Sequence, residues 1–370
     1  MESEVPVGGE MPVGGGAAGR RRGEGGMSVR RRVLGNLRAV LAPVAAGMGV
    51  MAAAAAVLVP TLAGGAGHGA VGGGAGRAST PVVTHPAYGP GTASDTSPAA
   101  GCTPRNAAES LRPSSDDGPA VARIKERGQL VVGVDQNTYR WGYRDPATGK
   151  LAGFDIDLAR AIAADILGPD AKVVFKAVPT DQRIPALRKR RVDMVVRTMT
   201  INCARKKLVA FSTSYFQGGQ QVLAPKSSAV KAFDDSLRGK RVCTAAGSTG
   251  EAELAARPHG AKVLRVPNQL DCLVRLQLGQ ADAVVTDNAL AAAQAAQDPA
   301  VELKGRPFTD EPYGVAMNEA DTDLVRRVNK VLDDYRAGGA PDGPWMRAYR
   351  KWLKADLPDI SGPPSPEYSD

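Results

Sequence analysis

The sequence predicts an α/β fold of two lobes, each a mostly parallel sheet flanked by helices. Short apolar strands alternate with helices of amphipathic spacing, and this alternation occurs twice, before and after the stretch "AFSTSYFQGGQQVLAPKSS". The chain has 370 residues, which is enough for two lobes and additional segments. Strands and helices that alternate at this spacing form largely parallel sheets covered on both faces.

The first unit begins with the helix "AVARIKERG", which ends at Gly128, and the buried strand "QLVVGVD". Apolar residues at helical spacing predict a helix in "FDIDLARAIAADILG", after a loop rich in turn signals. The strand "KVVFKAV", the helix "RIPALRKRR" and the strand "VDMVVRT" complete this unit.

The second unit contains the strands "KRVCTAAG", "KVLRVP" and "ADAVVTD". A helix begins at Thr249 after the first strand, "QLDCLVRLQLG" forms a helix after the second, and an Ala-rich helix follows the third. The extended segment "PYGVAM" is then expected to return the chain to the first lobe, where two further helices pack.

The N-terminal part predicts export. Residues 1–38 are basic and Gly-rich, and residues 39–63 contain no charged side chain, a length sufficient to span a bilayer. Arginines before an apolar run place the N-terminus inside, so the run is a signal or signal-anchor helix and the rest is extracytoplasmic. A buried core helix is the alternative. Residues 64–120 contain few large apolar side chains and predict a disordered linker.

Charge and cysteine content limit the function classes. The net charge of +9 comes partly from the N-terminal segment and is otherwise dispersed, which argues against a nucleic-acid groove. Cys102, Cys203, Cys243 and Cys272 follow the apolar run, and four cysteines in an oxidising compartment predict two disulfides with three connectivities open. Metal binding is the weaker alternative because no ligand pair has metal-binding spacing. No cofactor is expected.

The carboxyl ends of the strands are the expected ligand site, because open α/β sheets bind ligands there. Asp135, residues 197–200, residues 246–249 and Asp287 occupy these ends. A guanidinium group at such an edge binds a carboxylate through two parallel hydrogen bonds, so the arginines of "VVRTMTINCARKK" predict an anionic ligand group.

Several motifs resemble family 3 of the bacterial extracellular solute-binding proteins, in the order and spacing of that family. They are "GFDIDLARAIAADI", "VDMVVRTMTINCARKK", "LRGKRVCTAAGSTGE", "GQADAVVTDNALAAA", "EPYGVAMNEAD" and "WMRAYRKWL". The likeness is closest to actinobacterial glutamate/glutamine-binding receptors of amino-acid ABC transporters. It implies a monomeric clamp, with lobe 1 from residues 121–216 and 311–357, lobe 2 from residues 217–310, and a Pro-rich tail at 358–370.

The resemblance also implies site residues. Arg205 matches the arginine that binds the ligand α-carboxylate, and Asp287 matches the acid that binds the α-ammonium, with Asp135 assisting. The remaining positions supply hydrogen-bond donors to the carboxylate: Thr198, Thr200, Ser248 and Thr249. The alternatives are an exposed basic helix start for Arg205, a turn for Asp135 and a helix cap for Asp287.

Two departures from the family pattern bear on specificity. The region "VPTDQR" lacks the aromatic residue that stacks on the ligand in many relatives, so Tyr139 or Trp141 is expected to replace it. Arg197 stands where most relatives have a small residue. Its charge needs an anionic partner. That partner is either a second carboxylate of the ligand, which predicts glutamate or aspartate ahead of glutamine or asparagine, or Asp135 or Asp181 within the protein.

The resemblance leaves function classes to weigh. Capture of an amino acid for an ABC permease is the expectation, and a sensor that signals to a membrane partner or kinase is the alternative. A dehydratase-like enzyme on this fold is disfavoured because no Ser/His/Asp or Cys/His set can be assembled. The expected disulfides are Cys243–Cys272, on adjacent elements of lobe 2, and Cys102–Cys203; a lipid anchor on Cys102 of "PAAGC" is the alternative.

Overall fold

The computed structural model describes residues 101–337 and 342–370. The predictions for residues 1–38, for the apolar run 39–63 and for the linker up to residue 100 lie outside the described residues. In the described ranges, every helix is too short or too polar to cross a membrane.

Nine helices and fifteen strands lie in the described residues. The helices are α1 Pro119–Arg127, α2 Phe154–Leu167, α3 Arg183–Arg188, α4 Cys203–Lys206, α5 Thr249–Ala256, α6 Gln269–Gln277, α7 Asn288–Gln297, α8 Thr322–Arg336 and α9 Pro344–Trp352. The strands are β1 Leu130–Val134, β2 Asn137–Thr138, β3 Gly142–Arg144, β4 Leu151–Ala152, β5 Val173–Ala177, β6 Met194–Val195, β7 Ala210–Phe211, β8 Phe216–Gly218, β9 Gln220–Pro225, β10 Arg241–Ala245, β11 Lys262–Val266, β12 Ala283–Asp287, β13 Val301–Lys304, β14 Glu311–Tyr313 and β15 Ala316–Met317.

Lobe 1 is a five-stranded sheet in the order β5-β1-β6-β15-β7. Strand β1 is parallel to both of its neighbours, whereas β15 is antiparallel to β6 and β7. Helices α1, α2, α8 and α9 contribute to the apolar core on one face, and α3 contributes Ala186 and Leu187 to the core on the other. The small sheet β2-β3-β4 follows β1.

Lobe 2 repeats this plan in the order β11-β10-β12-β9-β13. Strand β10 is parallel to β11 and β12, and β9 runs antiparallel between β12 and β13. Helices α6 and α7 contribute to the core on one face and α5 to the core on the other. The α/β fold class with two sheets flanked by helices is therefore confirmed, and each sheet combines a parallel part with antiparallel strands.

The chain passes between the lobes through two antiparallel strands, β8 and β14. Glu311 pairs with Gly218, and Tyr313 pairs with Phe216. After this second passage, β15 joins the sheet of lobe 1. The side chains of the crossover strands therefore lie where both lobes meet.

Residues 101–118 differ from the expectation of a linker that continues to residue 120. The disulfide Cys102–Cys203 attaches this segment to α4, and the disulfide Cys243–Cys272 joins β10 to α6, so both expected pairings are confirmed. Ser110 is buried, and its Oγ donates a hydrogen bond to the carbonyl of Phe211 at 2.7 Å. Ser110 also bridges Tyr368. The disulfide and the buried hydrogen bond therefore hold residues 101–118 on lobe 1, and the bridge to Tyr368 attaches the C-terminal segment to them.

Candidate functional site

A narrow cavity lies between the carboxyl ends of the two sheets. It is lined by Thr180, Arg183, Arg197, Thr198, Thr200, Arg205, Ser248, Thr249, Gln269, Asp287 and Leu290. Seven of these are residues that the sequence analysis assigned to the ligand site. The volume of the cavity is only about 10 Å³. An amino acid must therefore displace some of the contacts that these side chains now make.

Arg205 is held in the cavity by a short helix. Asn202 caps α4 by accepting a hydrogen bond from the Arg205 amide, and this fixes the backbone at the arginine. The guanidinium donates to the carbonyls of Thr200 at 2.7 Å and of Gly247 at 3.2 Å. Burial lowers the pKa of Arg205, while Glu311 and Asp287 oppose this effect. The arginine is thus a buried cation whose guanidinium donates to carbonyl groups.

Arg183 is a second cavity cation that the sequence analysis did not single out. It begins α3, and its side chain is only 5 % exposed. Its guanidinium donates to the carbonyls of Thr180 at 2.9 Å, Arg197 at 3.4 Å and Gly247 at 3.4 Å. Burial, and then the charges of Arg205 and Arg197, hold its pKa well below the usual range. Its position just after β5, at a strand end, was the signal that could have identified it.

Arg197 is paired within the protein. Its Nη2 lies 2.7 Å from Oδ2 of Asp135, and both side chains are buried. Nη1 donates to the hydroxyl of Thr180 at 2.9 Å. Asp135 also accepts hydrogen bonds from the amides of Gln136 and Asn137 and from the Thr138 hydroxyl. The internal ion pair, one of the two alternatives for Arg197, is therefore what the structure shows, and Asp135 is occupied by its own chain.

The Thr198 amide is also engaged within lobe 1. It donates to Oδ2 of Asp155 at 3.0 Å and to Oη of Tyr215 at 3.1 Å, and the tyrosine hydroxyl donates to Oδ1 of Asp155 at 2.9 Å. Thr198 has a φ of 40°, unusual for a β-branched residue. The Thr198 amide, which was expected to donate to the ligand carboxylate, therefore already donates to Asp155 and Tyr215 in this arrangement. Burial raises the pKa of Asp155 to about 7, against the lowering effect of its two hydrogen bonds.

The turn before α5 brings lobe 2 against lobe 1. Ser248 caps the helix by accepting a hydrogen bond from the Glu251 amide at 3.1 Å. Gly247 has a φ of 74°, and a Cβ atom there would lie 2.9 Å from Cα of Asp181. Glycine therefore serves two purposes here, since it adopts the left-handed backbone and allows the lobes to approach.

Asp287 ends β12, as the sequence analysis placed it, and is 6 % exposed. Its Oδ1 accepts a hydrogen bond from Nε2 of Gln220, which lies opposite it on β9. Burial raises the pKa of Asp287 to about 8, and the nearby charge of Glu311 adds to this effect. Tyr313, Arg205 and Arg183 act in the opposite direction. An ammonium group at this position would favour the ionised carboxylate.

Glu311 is a further buried carboxylate that the sequence analysis missed. It begins β14 and is 3 % exposed. Its Oε2 accepts hydrogen bonds from the hydroxyls of Thr200 and Thr249, the latter at 2.9 Å, and its Oε1 accepts one from Thr309 at 3.0 Å. Thr200 and Thr249 line the cavity from opposite lobes, so their hydroxyls are oriented by a residue outside it.

Neither Tyr139 nor Trp141, the expected aromatic contacts to a ligand, is among the residues that line the cavity. Tyr139 packs against Tyr143, with ring centres 5.1 Å apart, away from the cavity lining. Trp141 is buried, and its indole nitrogen donates to the carbonyl of Ala289 at 3.3 Å. Leu290 supplies the apolar part of the cavity wall.

Direct hydrogen bonds join the two lobes around the cavity. The Thr180 amide donates to the carbonyl of Pro267 at 3.2 Å, and Nη2 of Arg197 donates to Oδ1 of Asn268 at 3.3 Å. Arg183 and Arg205 both reach the carbonyl of Gly247. The fold and this site define a two-lobed binding clamp in its closed arrangement.

The chain belongs to family 3 of the bacterial extracellular solute-binding proteins, whose family model matches residues 130–355. It is 38% identical over 236 residues to the ABC transporter glutamine-binding protein GlnH of Bacillus subtilis, covering 64% of this chain and 85% of that protein. It is 29% identical over 249 residues to the L-glutamate/L-aspartate-binding protein of Pseudomonas aeruginosa, covering 64% and 81%. These relatives are amino-acid-binding proteins.

Solved structures agree with this assignment. An ancestral arginine-binding protein bound to glutamine has a TM-score of 0.57 and 39% identity, covering 61% of this chain and 98% of its own. An ancestral amino-acid-binding protein, a precursor of cyclohexadienyl dehydratase, has a TM-score of 0.58 and 34% identity, covering 64% and 100%.

Proposed function

We propose that this protein captures an acidic amino acid, glutamate or aspartate, outside the cytoplasm for an ABC transporter. The observation that carries the choice of ligand is Arg183. It is a buried guanidinium that lines the cavity, and it donates hydrogen bonds to the carbonyl groups of Thr180, Arg197 and Gly247. No described carboxylate lies within salt-bridge distance of it.

The α-carboxylate and α-ammonium groups of the ligand fit two cavity residues of opposite charge, Arg205 and Asp287. Arg205 has the planar donor geometry that binds the α-carboxylate, and its bond to the Gly247 carbonyl is the contact that the ligand replaces. Asp287 binds the α-ammonium, because the positive charge offsets the cost of ionising a buried carboxyl. These two contacts are common to all amino acids and do not choose among them.

The ligand side chain is selected by Arg183 in this proposal. A buried cation beside two other guanidinium groups is destabilised by burial and by like charge. A second carboxylate neutralises it through charge-assisted hydrogen bonds, whereas the amide of glutamine or asparagine offers only a dipole. Arg197 was the sequence-based candidate for this role, but Asp135 already neutralises it. Lysine and arginine would place a further cation next to Arg183 and are excluded by repulsion.

The relatives differ in ligand, so likeness alone does not select one. A glutamine-binding protein is 38% identical and a glutamate/aspartate-binding protein 29% identical to this chain. The charge of the side-chain pocket is therefore the stronger argument for an acidic ligand.

Isothermal titration calorimetry across the amino acids tests the proposal. We expect glutamate or aspartate to bind most tightly, and tight binding of lysine or arginine would contradict it. Arg205→Ala should weaken the binding of every amino acid about a hundredfold or more, because a buried contact to the α-carboxylate is lost. Lys207→Ala, an exposed neighbour on the same turn, is the matched control and should leave affinity unchanged.

We propose capture without catalysis, followed by delivery to a membrane permease. The two disulfides suit an oxidising, extracytoplasmic compartment. A permease and an ATPase encoded beside this protein would favour uptake, whereas a neighbouring kinase or membrane sensor would favour signalling. Direct binding of the glutamate-loaded protein to the encoded partner, with the unloaded protein as control, distinguishes the two roles.

A further inference from the structure

The segment of residues 102–112, named the strap from here on, is fastened to the short helix α4 at two points. The disulfide Cys102–Cys203 joins the strap to the first residue of the helix. Nζ of Lys206 donates a hydrogen bond to the carbonyl of Glu109 in the strap at 2.8 Å. Cys203 and Lys206 are three residues apart in a helix, so they lie on the same face of it. The strap therefore holds one whole face of α4.

The far end of the strap is anchored in the buried part of lobe 1. Ser110 is buried, and its Oγ donates to the carbonyl of Phe211 on β7 at 2.7 Å. Asn329 of α8 is fully buried, and its Nδ2 donates to Oγ of Ser110 at 2.9 Å and to the carbonyl of Leu111 at 2.6 Å. Breaking these bonds would leave buried polar groups unpaired, which is costly. The strap thus ties α4 to the sheet and to α8.

Helix α4 depends on such contacts for its direction. It has four residues, and isolated helices shorter than about 12 residues are not stable in water. The chain on either side holds its ends, since the Ile201 amide donates to the carbonyl of Pro312 at 2.7 Å and Val209 is buried in the core. The strap adds the contacts on the face of Cys203 and Lys206.

The direction of α4 decides where the guanidinium of Arg205 lies. Arg205 follows Cys203 by two residues, which is about 200° around the helix, so its side chain leaves the helix on the side away from the disulfide. Its guanidinium lines the cavity and reaches the carbonyls of Thr200 and of Gly247 in lobe 2. Two parallel hydrogen bonds to a carboxylate require a fixed geometry, so a turn of α4 about its axis would weaken them.

We propose that the strap positions Arg205 for the ligand α-carboxylate, with Cys203 and Lys206 as the positioning residues, and that it thereby raises the affinity for the amino acid. The inference rests on the proposed function, because Arg205 is its α-carboxylate site. An arginine that is already held in the binding orientation loses less conformational freedom when the ligand arrives. Every amino acid has an α-carboxylate, so the strap changes the affinity of all of them by the same factor.

Calorimetry with glutamate and with glutamine, on the full chain and on its Cys102→Ser/Cys203→Ser variant, tests this role. We expect the variant to bind both amino acids about five- to tenfold more weakly, with the ratio of the two affinities unchanged within about twofold. In an Arg205→Ala background the same two substitutions should weaken binding by less than about twofold, because no guanidinium remains to be positioned. A loss of the same factor in both backgrounds, or unchanged affinity in the folded double serine variant, would overturn the inference.

Lys206→Met tests the second fastening point while the disulfide stays closed. It removes the hydrogen bond to the Glu109 carbonyl and should weaken the binding of both amino acids about threefold. Lys207→Met removes the same charge from the exposed next residue and is the matched control, which should bind like the unmodified protein. Equal affinities in the two methionine variants would overturn the inference, and this comparison decides it where the double serine variant does not fold.

The outcomes separate the strap from the proposed function. Unchanged affinities in the strap variants, with glutamate still preferred over glutamine, would overturn the role of the strap alone. Tighter binding of glutamine than of glutamate, with the expected losses in the strap variants, would contradict the choice of ligand and support the strap. The absence of binding by any amino acid would contradict both.

Discussion

Arg197 and Asp135 form a buried ion pair, with Nη2 and Oδ2 2.7 Å apart, at the edge of the ligand cavity. The Nη2 atom also reaches Asn268 of lobe 2. The extra guanidinium therefore has its charge balanced within lobe 1, and it contributes to contact between the lobes rather than supplying a free charge for the ligand.

Arg197→Met should destabilise the protein without changing its choice of ligand. Removing one partner leaves Asp135 buried and uncompensated, which costs roughly 3–5 kcal/mol in unfolding free energy. Urea denaturation measures this loss. The ratio of glutamate to glutamine affinity should stay within about twofold of the unmodified protein, and a selective loss of glutamate would show that Arg197 contacts the ligand side chain.

Gly247→Ala should weaken ligand binding by hindering closure. The new Cβ would lie 2.9 Å from Cα of Asp181, closer than non-bonded carbon atoms approach, so the turn must shift away from lobe 1. Affinity should fall about tenfold or more, because a turn displaced from lobe 1 makes the closed arrangement around the ligand less favourable. Gly239→Ala is the matched control, because Gly239 has the same φ of 74° and its Cβ would meet no atom within 4 Å. Equal affinity losses in both variants would show that backbone strain, not closure, causes the effect.

Asp155 should make stability fall as pH rises. Its pKa is about 7 in the folded chain, above the ordinary value of 3.8, so between these pH values the folded state holds a proton that the unfolded state has lost. Stability from this group is fully present below a pH of about 4 and is lost as pH rises through 7, by up to about 1.4 kcal/mol per unit. Asp155→Asn should flatten this decline, as measured by urea denaturation at several pH values. A parallel decline in the variant would assign the effect to other groups.

The two disulfides should differ in their contribution to stability. Cys102–Cys203 closes a sequence separation of 101 residues and Cys243–Cys272 one of 29. In the chain-entropy model, removing the longer link by a double Ser substitution should cost about 1 kcal/mol more than removing the shorter one. Urea denaturation of both variants tests this, after peptide mapping without reductant. A diacylglycerol group on Cys102, or free thiols, would contradict the pairing.

The parallel strands and their helices could be predicted from the sequence because apolar runs and helical periodicity mark them. The antiparallel strand β9 was missed: "QQVLAP" follows two glycines and begins with two polar residues, so the sequence analysis treated it as a connection. The same omission concealed Gln220, which β9 places opposite Asp287. A side chain whose role depends on pairing to a distant strand has no local signal.

The strand-end rule located most of the cavity but not its charge balance. Arg205 and Asp287 were found because their strands were recognised. The sequence could not decide the partner of Arg197, because a ligand carboxylate and Asp135 are both able to neutralise a buried cation. Arg183 was interpreted only as part of a helix, although its position shortly after the end of β5 was the signal that could have placed it in the cavity.

The affinity ratio of glutamate to glutamine, measured by calorimetry in the unmodified protein and in Arg183→Gln, tests the central claim most directly. The glutamine side chain is shorter than arginine and still donates hydrogen bonds, but it carries no charge. The account predicts that glutamate binds at least about tenfold more tightly than glutamine, and that Arg183→Gln removes this preference while glutamine affinity changes little. Tighter binding of glutamine by the unmodified protein, or a preference that survives in Arg183→Gln, would contradict it.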